Sequence, residues 1–155
     1  MNFKEELLAK VLAGTKTQTR RPVKDGDEFC VDYSEGSYVV NSRRTRYHMY
    51  QEYAACPGRG KPQQGRIYID WIKREDVRQI SGDDIVAEGF TSAFDFFKVW
   101  SGFYDKPMAK MVDNLRARFD GGDPDELHRV LSGELWRRPH DLYQAWALTF
   151  RLVTP

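Results

Sequence analysis

Near the start of the chain, apolar positions recur every three to four residues. Leu7, Leu8, Val11 and Leu12 make one stripe between Lys4 and Ala13, which predicts an amphipathic helix. Gly14 ends it, because glycine reaches φ > 0 without a Cβ clash. The period then changes to two. Thr17 and Thr19 alternate with Gln18 and Arg20, so both threonines are expected on one face of a strand. Asp25-Gly26-Asp27 signals a turn. Phe29, Val31 and Tyr33 alternate with Cys30 and Asp32 over Glu28–Tyr33, a half-buried strand. Ser34–Gly36 turns the chain into a second strand, Ser37–Val40, to make a hairpin. From Arg66 to Arg74, Ile67, Ile69 and Trp71 face one way and Tyr68, Asp70 and Ile72 the other.

The second half is mostly helical. Ser81 with Asp84 three residues on approximates a capping box, and Gly89 closes that helix. Three amphipathic helices follow. Phe96, Phe97, Trp100 and Tyr104 line the first, and Met108, Met111, Val112, Leu115 and Phe119 the second. Leu127, Val130, Leu131 and Leu135 line the third, opened by Asp123-Pro124. Trp146, Leu148, Phe150 and Leu152 alternate in a closing strand. Strands, then helices, then a strand predict an α+β fold.

Composition narrows the function classes. The 155 residues are one domain's worth, and 14% aromatic content argues against disorder. A net charge of +1 predicts no general attraction to nucleic acid, but the charge is uneven. Arg43, Arg44, Arg46, Arg59, Lys61 and Arg66 face one acid, Glu52, whereas from Glu75 onward ten basic residues meet fourteen acidic ones. A basic middle beside an acidic tail suits a localised anion site. Cys30 and Cys56 form no CxxC, and His48, His128 and His140 are scattered, so neither a metal nor another cofactor is expected. The charged N-terminal region does not read as a signal peptide, and no run approaches a membrane span. A cytoplasmic protein with reduced thiols is expected.

Two stretches carry candidate chemistry. In Gly14-Thr15-Lys16-Thr17-Gln18-Thr19-Arg20-Arg21, a lysine and hydroxyls converge where helix gives way to strand. Either this is a ligand site or it is a solvated basic strand start. In Asn41–Gly65, arginines lie close to Tyr38, Tyr47, Tyr50 and Tyr53, a combination that grips phosphate and stacks on bases. The other reading is an exposed arginine-rich hairpin with tyrosines packed beneath. Pro57-Gly58-Arg59-Gly60-Lys61-Pro62 has the wrong spacing for a Walker loop and lacks the following hydroxyl residue.

The run Gly14-Thr15-Lys16-Thr17-Gln18-Thr19-Arg20, behind the Leu7–Leu12 stripe, resembles the signature of the ASCH family within the PUA-like superfamily. Arg59 in its glycine loop and the segment Ala87-Glu88-Gly89-Phe90 also resemble longer bacterial and phage members. The resemblance implies a mixed, mainly antiparallel β-barrel of five or six strands with flanking helices. It makes residues 1–155 a single domain, with residues 104–141 a helical insertion. It implies an RNA- or nucleoside-binding cleft at the barrel mouth. A small member of the family is an amidohydrolase acting on N-acetylcytidine, with lysine as proton acceptor, threonine as nucleophile and glutamate as proton donor. By motif position these roles fall on Lys16, Thr19 and Glu88. A ribonuclease is a further alternative. Arg20, Arg43, Arg44, Arg46, Arg59 and Lys61 would meet phosphate and Tyr53 a base. Glu88 would otherwise be an exposed helix-end carboxylate or a salt-bridge partner of Lys16.

Overall fold

The computed structural model describes residues 1–119 and 121–153. They form two compact units. One comprises Met1–Glu75, Ala87–Gly89 and the chain from Ala145 on; the other comprises Asp76–Val86 and Phe90–Gln144.

The first unit opens with α1, Glu5–Leu12, which buries Leu8 and Val11. Glu5 and Glu6 in its first turn and Lys10 in its last complement the helix dipole. Gly14 takes φ +72°. Gly14 N donates to Val11 O at 3.0 Å and Thr15 N to Lys10 O at 3.0 Å, so the last carbonyls are satisfied. Six strands follow: β1 Gln18–Pro22, β2 Asp27–Cys30, β3 Tyr38–Asn41, β4 Arg44–His48, β5 Glu52–Ala55 and β6 Gly65–Asp76; β7, Gln144–Val153, closes the chain.

These seven strands form two sheets, ordered β1-β7-β6-β5 and β2-β3-β4, where a single barrel of five or six was expected. Tyr50 sits between β4 and β5 at φ +62°, where the chain passes from one sheet to the other. Met49 N still bonds Ser37 O at 2.9 Å toward the β2-β3-β4 sheet, while Tyr50 N bonds Ile69 O at 2.7 Å toward the β1-β7-β6-β5 sheet. The registers are antiparallel: Thr19 opposes Leu148, Tyr53 opposes Ile67, and Asp27 opposes Asn41.

Three strand expectations change in detail. Thr17 precedes β1 and is exposed, whereas Thr19 is buried, so the two do not share a face. The predicted hairpin forms, but β2 stops at Cys30. Asp32 Oδ1 accepts from Ser34 N at 2.8 Å and Glu35 N at 3.0 Å, and this side-chain turn draws the chain out of the ladder. In β6, Ile67, Ile69 and Ile72 are buried and Trp71 is exposed, so the inward face changes between Ile69 and Ile72.

Two apolar clusters fill the first unit. Phe3, Leu8, Val11, Ala55, Ile67 and Phe150 form one; Val39, Met49, Ile69, Ile72, Trp146 and Leu148 form the other. A buried carboxylate braces the second sheet: Asp27 accepts from Trp146 Nε1 at 2.8 Å, Asn41 Nδ2 at 2.9 Å and Lys24 N at 2.9 Å, and pairs with Arg46.

The second unit holds the rest of the helices. Helix α2, Gly82–Ala87, ends within the first unit, and Ser81 Oγ caps Asp84 N at 3.1 Å. Ser92 caps α3, Ala93–Tyr104; Asp105 caps α4, Lys106–Arg118; Asp123 caps α5, Pro124–Trp136. Their buried residues follow the expected stripes: Phe96, Phe97 and Trp100, then Met108, Val112 and Leu115, then Leu131 and Leu135. Met111 falls outside its stripe and is exposed. The expected insertion, residues 104–141, lies inside this unit.

Candidate functional site

Lys16 owes its position to the turn after α1. Its own N–H bonds Lys10 O at 3.1 Å, and the next residue, Thr17, donates to Ala87 O at 2.9 Å. Thr17 O in turn accepts from Phe150 N at 2.8 Å. The Lys16 side chain is thereby held beside Ala87–Gly89, the end of α2. Gly89 makes the close approach possible. It takes φ +86°, and a Cβ there would lie 3.2 Å from Lys10 Cδ and 3.5 Å from Lys16 Cβ. Lys10 Nζ donates to Gly89 O at 2.5 Å.

The Lys16 ammonium is 1% exposed and donates to Gln18 O at 2.6 Å, Glu88 O at 2.7 Å and Glu88 Oε2 at 2.6 Å. An ammonium has three protons, and each has an acceptor. Glu88, 4% exposed, follows the C-terminal end of α2, where a cation is favourable. Arg20 takes the other carboxylate oxygen, with Nη1 at 3.3 Å from Glu88 Oε1 and 3.0 Å from Gln18 Oε1. Its Nε pairs with Glu75 Oε1, and Lys73 Nζ lies 3.0 Å from Glu75 Oε2. Charges of alternating sign thus run Lys16–Glu88–Arg20–Glu75–Lys73. Burial pushes the Lys16 ammonium below the ordinary lysine value, against the pull of Glu88, which favours the charged form.

The other predicted site residues are distributed elsewhere. Thr19 is buried on β1, and its Oγ1 accepts from Arg21 Nη1 at 3.0 Å. Arg43 and Arg44 are exposed at the β3–β4 turn, where Ser42 and Arg43 both take positive φ. Arg46 pairs with Asp27 and lies over the Tyr47 ring at 5.0 Å. Tyr53 is half-buried against both apolar clusters. Arg59 and Lys61 are exposed in the loop before β6. Lys16, Arg20 and Glu88 are therefore brought into one network. Gln18, Glu75 and Lys10 belong to it as well; Gln18 stands inside the motif, but nothing local marks Glu75. Cys30 and Cys56 are free thiols. Among the described residues, no group of His, Cys, Asp and Glu could hold a metal, and no helix is long and apolar enough to cross a membrane.

No protein-family model and no curated protein matches the chain. Solved structures do. An ASCH domain from Lactobacillus crispatus JV V101 superposes with a TM-score of 0.53 at 13% identity, covering 95% of this chain and 70% of that one. The fold is ASCH-like. Protein EF3133 from Enterococcus faecalis V583, of the DUF984 family, gives the same TM-score of 0.53 at 14% identity, covering 96% of this chain and 70% of that one. In this ASCH-like fold, the Gly14–Arg20 run and Glu88 meet in space although they lie 72 residues apart at Lys16 and Glu88.

Proposed function

We propose that this protein binds RNA or a modified nucleoside, with Lys16, Arg20 and Glu88 as the charged centre of the site. The observation that carries the reading is the burial of that centre. A buried ion pair is poorly explained as a stability device, because apolar residues of similar volume commonly serve folding as well or better. A buried lysine whose pKa is lowered by burial, as at Lys16, is the kind of group that concentrates at functional sites. A ligand carbonyl or phosphate oxygen would take the place of Glu88 Oε2 or Gln18 O on the Lys16 ammonium, and the displaced oxygen would need a donor from the ligand. Arg20 would offer a second donor group to the same ligand.

One observation favours a second reading, the amidohydrolase. Burial lowers the Lys16 pKa, as a lysine acting as general base requires. Thr19 would then need release from Arg21 before its hydroxyl could attack an acyl carbon. Proton transfer through Lys16 also requires its bond to Glu88 to open. The resting geometry therefore supports binding more directly than turnover.

Calorimetric titration with N-acetylcytidine, run beside an acetate-release assay, tests both readings. Wild type should bind the nucleoside, and Lys16→Met should not. Lys16→Arg keeps the charge but cannot serve as a base near neutral pH. It should retain binding, and any turnover should fall by about 10²–10⁴-fold. A wild type that binds neither N-acetylcytidine nor an RNA oligonucleotide titrated in the same way would overturn the proposal.

A further inference from the structure

Phe29, Val31, Tyr33, Tyr50 and Trp71 stand together around one groove of the first unit, of about 490 Å³. Tyr33 is 99% exposed, Trp71 56% and Tyr50 52%. A contiguous apolar surface of this kind on a folded chain commonly marks an interaction site. Two features place the Tyr50 ring. Tyr50 holds φ +62°, a backbone state that bulky residues rarely adopt and that costs about 1–3 kcal/mol. Gly36 faces it with φ +94°, and a Cβ there would lie 2.7 Å from Tyr50 Cδ2. Glycine at this position lets the Tyr50 ring lie against the loop. Phe29 stacks on Trp146, with centroids 5.6 Å apart and planes at 24°, and so backs the groove from within.

The charge around the groove selects its occupant. Two cations, Lys73 and Arg74, and one carboxylate, Asp32, line it. Asp32 Oδ1 accepts from Ser34 N, Ser34 Oγ and Glu35 N, and Lys73 is paired with Glu75 at 3.0 Å, which leaves Arg74 as the main phosphate partner. Exposed aromatic faces next to cations match an unpaired strand, whose bases stack and whose phosphates seek positive charge.

We propose that this groove binds an unpaired nucleic-acid strand, with bases stacked on Tyr33, Tyr50 and Trp71 and phosphates held by Lys73 and Arg74. The site stands on residues other than Lys16, Arg20 and Glu88. Glu75, paired with both Lys73 and Arg20, is where the two meet. Stacking and phosphate contact do not need a ribose 2′-hydroxyl, so RNA and DNA strands both fit.

Fluorescence anisotropy of labelled oligo-uridine RNA and oligo-thymidine DNA with the purified full chain provides the test. Wild type should bind both strands. Tyr33→Ala and Trp71→Ala should each weaken binding about 5- to 150-fold, the range for one lost base stack. Arg74→Gln should reduce the slope of log K against log[salt] by about 0.7 for a single strand. Tyr33→Ala should leave binding of free N-acetylcytidine unchanged, which separates this site from the Lys16 centre. Unchanged strand binding in both aromatic variants would overturn the proposal, as would no strand binding by wild type. A wild-type dimer in sedimentation that Tyr33→Ala converts to monomer would overturn it too, and would make the groove an interface between copies.

Discussion

Replacing Lys16 by methionine removes a charge that the fold has built around. The methionine chain fills much of the lysine volume, so packing changes little. What changes is the balance of charge. Glu88 Oε2, Glu88 O and Gln18 O each lose a donor at 2.6–2.7 Å. The Glu88 carboxylate stays buried, with Arg20 Nη1 at 3.3 Å on its other oxygen. Removing one partner of a buried ion pair costs about 3–5 kcal/mol, because the remaining charge is left uncompensated. Arg20 moderates that cost, so about 3 kcal/mol is expected. Removing both charges should be milder. In Lys16→Met with Glu88→Leu no carboxylate is left facing position 16, and Arg20 keeps Glu75 and Gln18 Oε1. The two changes should therefore be non-additive by about 1–3 kcal/mol. Urea unfolding of the wild type, both single variants and the double variant measures this, through the midpoint at constant m. A Lys16→Met cost below about 1 kcal/mol, or simple addition of the two single effects, would refute the buried-pair reasoning.

Two further outcomes follow from the same geometry. Burial alone would raise the Asp27 pKa, but bonds from Lys24 N, Asn41 and Trp146 and the charge of Arg46 together hold it below the ordinary value. A depressed carboxylate contributes stability that is present above its unfolded value of about 3.9 and lost as pH falls through the folded value. Wild type should thus lose urea resistance below about pH 4 more steeply than Asp27→Asn; parallel curves would contradict this. Gly89→Ala forces a side chain to φ +86° and against Lys10 Cδ. It should cost about 1–2 kcal/mol in urea unfolding, and no effect would deny the close approach at Gly89.

Much of the fold is legible where short-range rules decide. Gly14 and Gly89 mark helix ends because their positive φ follows from chain geometry. The stripes of α1, α3, α4 and α5 follow from period alone, and the β2–β3 hairpin from its turn. Features set by distant partners are not legible in the same way. Arg46 looks like a phosphate contact in the sequence, yet it pairs with Asp27, whose same oxygen, Oδ2, also accepts from Trp146, 119 residues away. Glu75 joins Arg20 across 55 residues. Glu88 can be an exposed helix end or a partner of Lys16 by sequence, and the fold selects the pair. The alternation at Phe29–Tyr33 predicts a half-buried strand, but Asp32 closes a turn on itself and leaves the apolar residues exposed. The passage from one sheet to the other runs through Tyr50, whose positive φ no local pattern announces.

The Lys16 ammonium can be observed directly. With its protons held by three oxygens and shielded from water, it should give a slowly exchanging ¹H–¹⁵Nζ resonance, assigned by its loss in Lys16→Arg. Titration with N-acetylcytidine should shift this resonance saturably, with the same midpoint as the calorimetric isotherm. A Lys16 signal that stays unmoved while the nucleoside saturates the protein would contradict the placement of Lys16, Arg20 and Glu88 at the centre of the site.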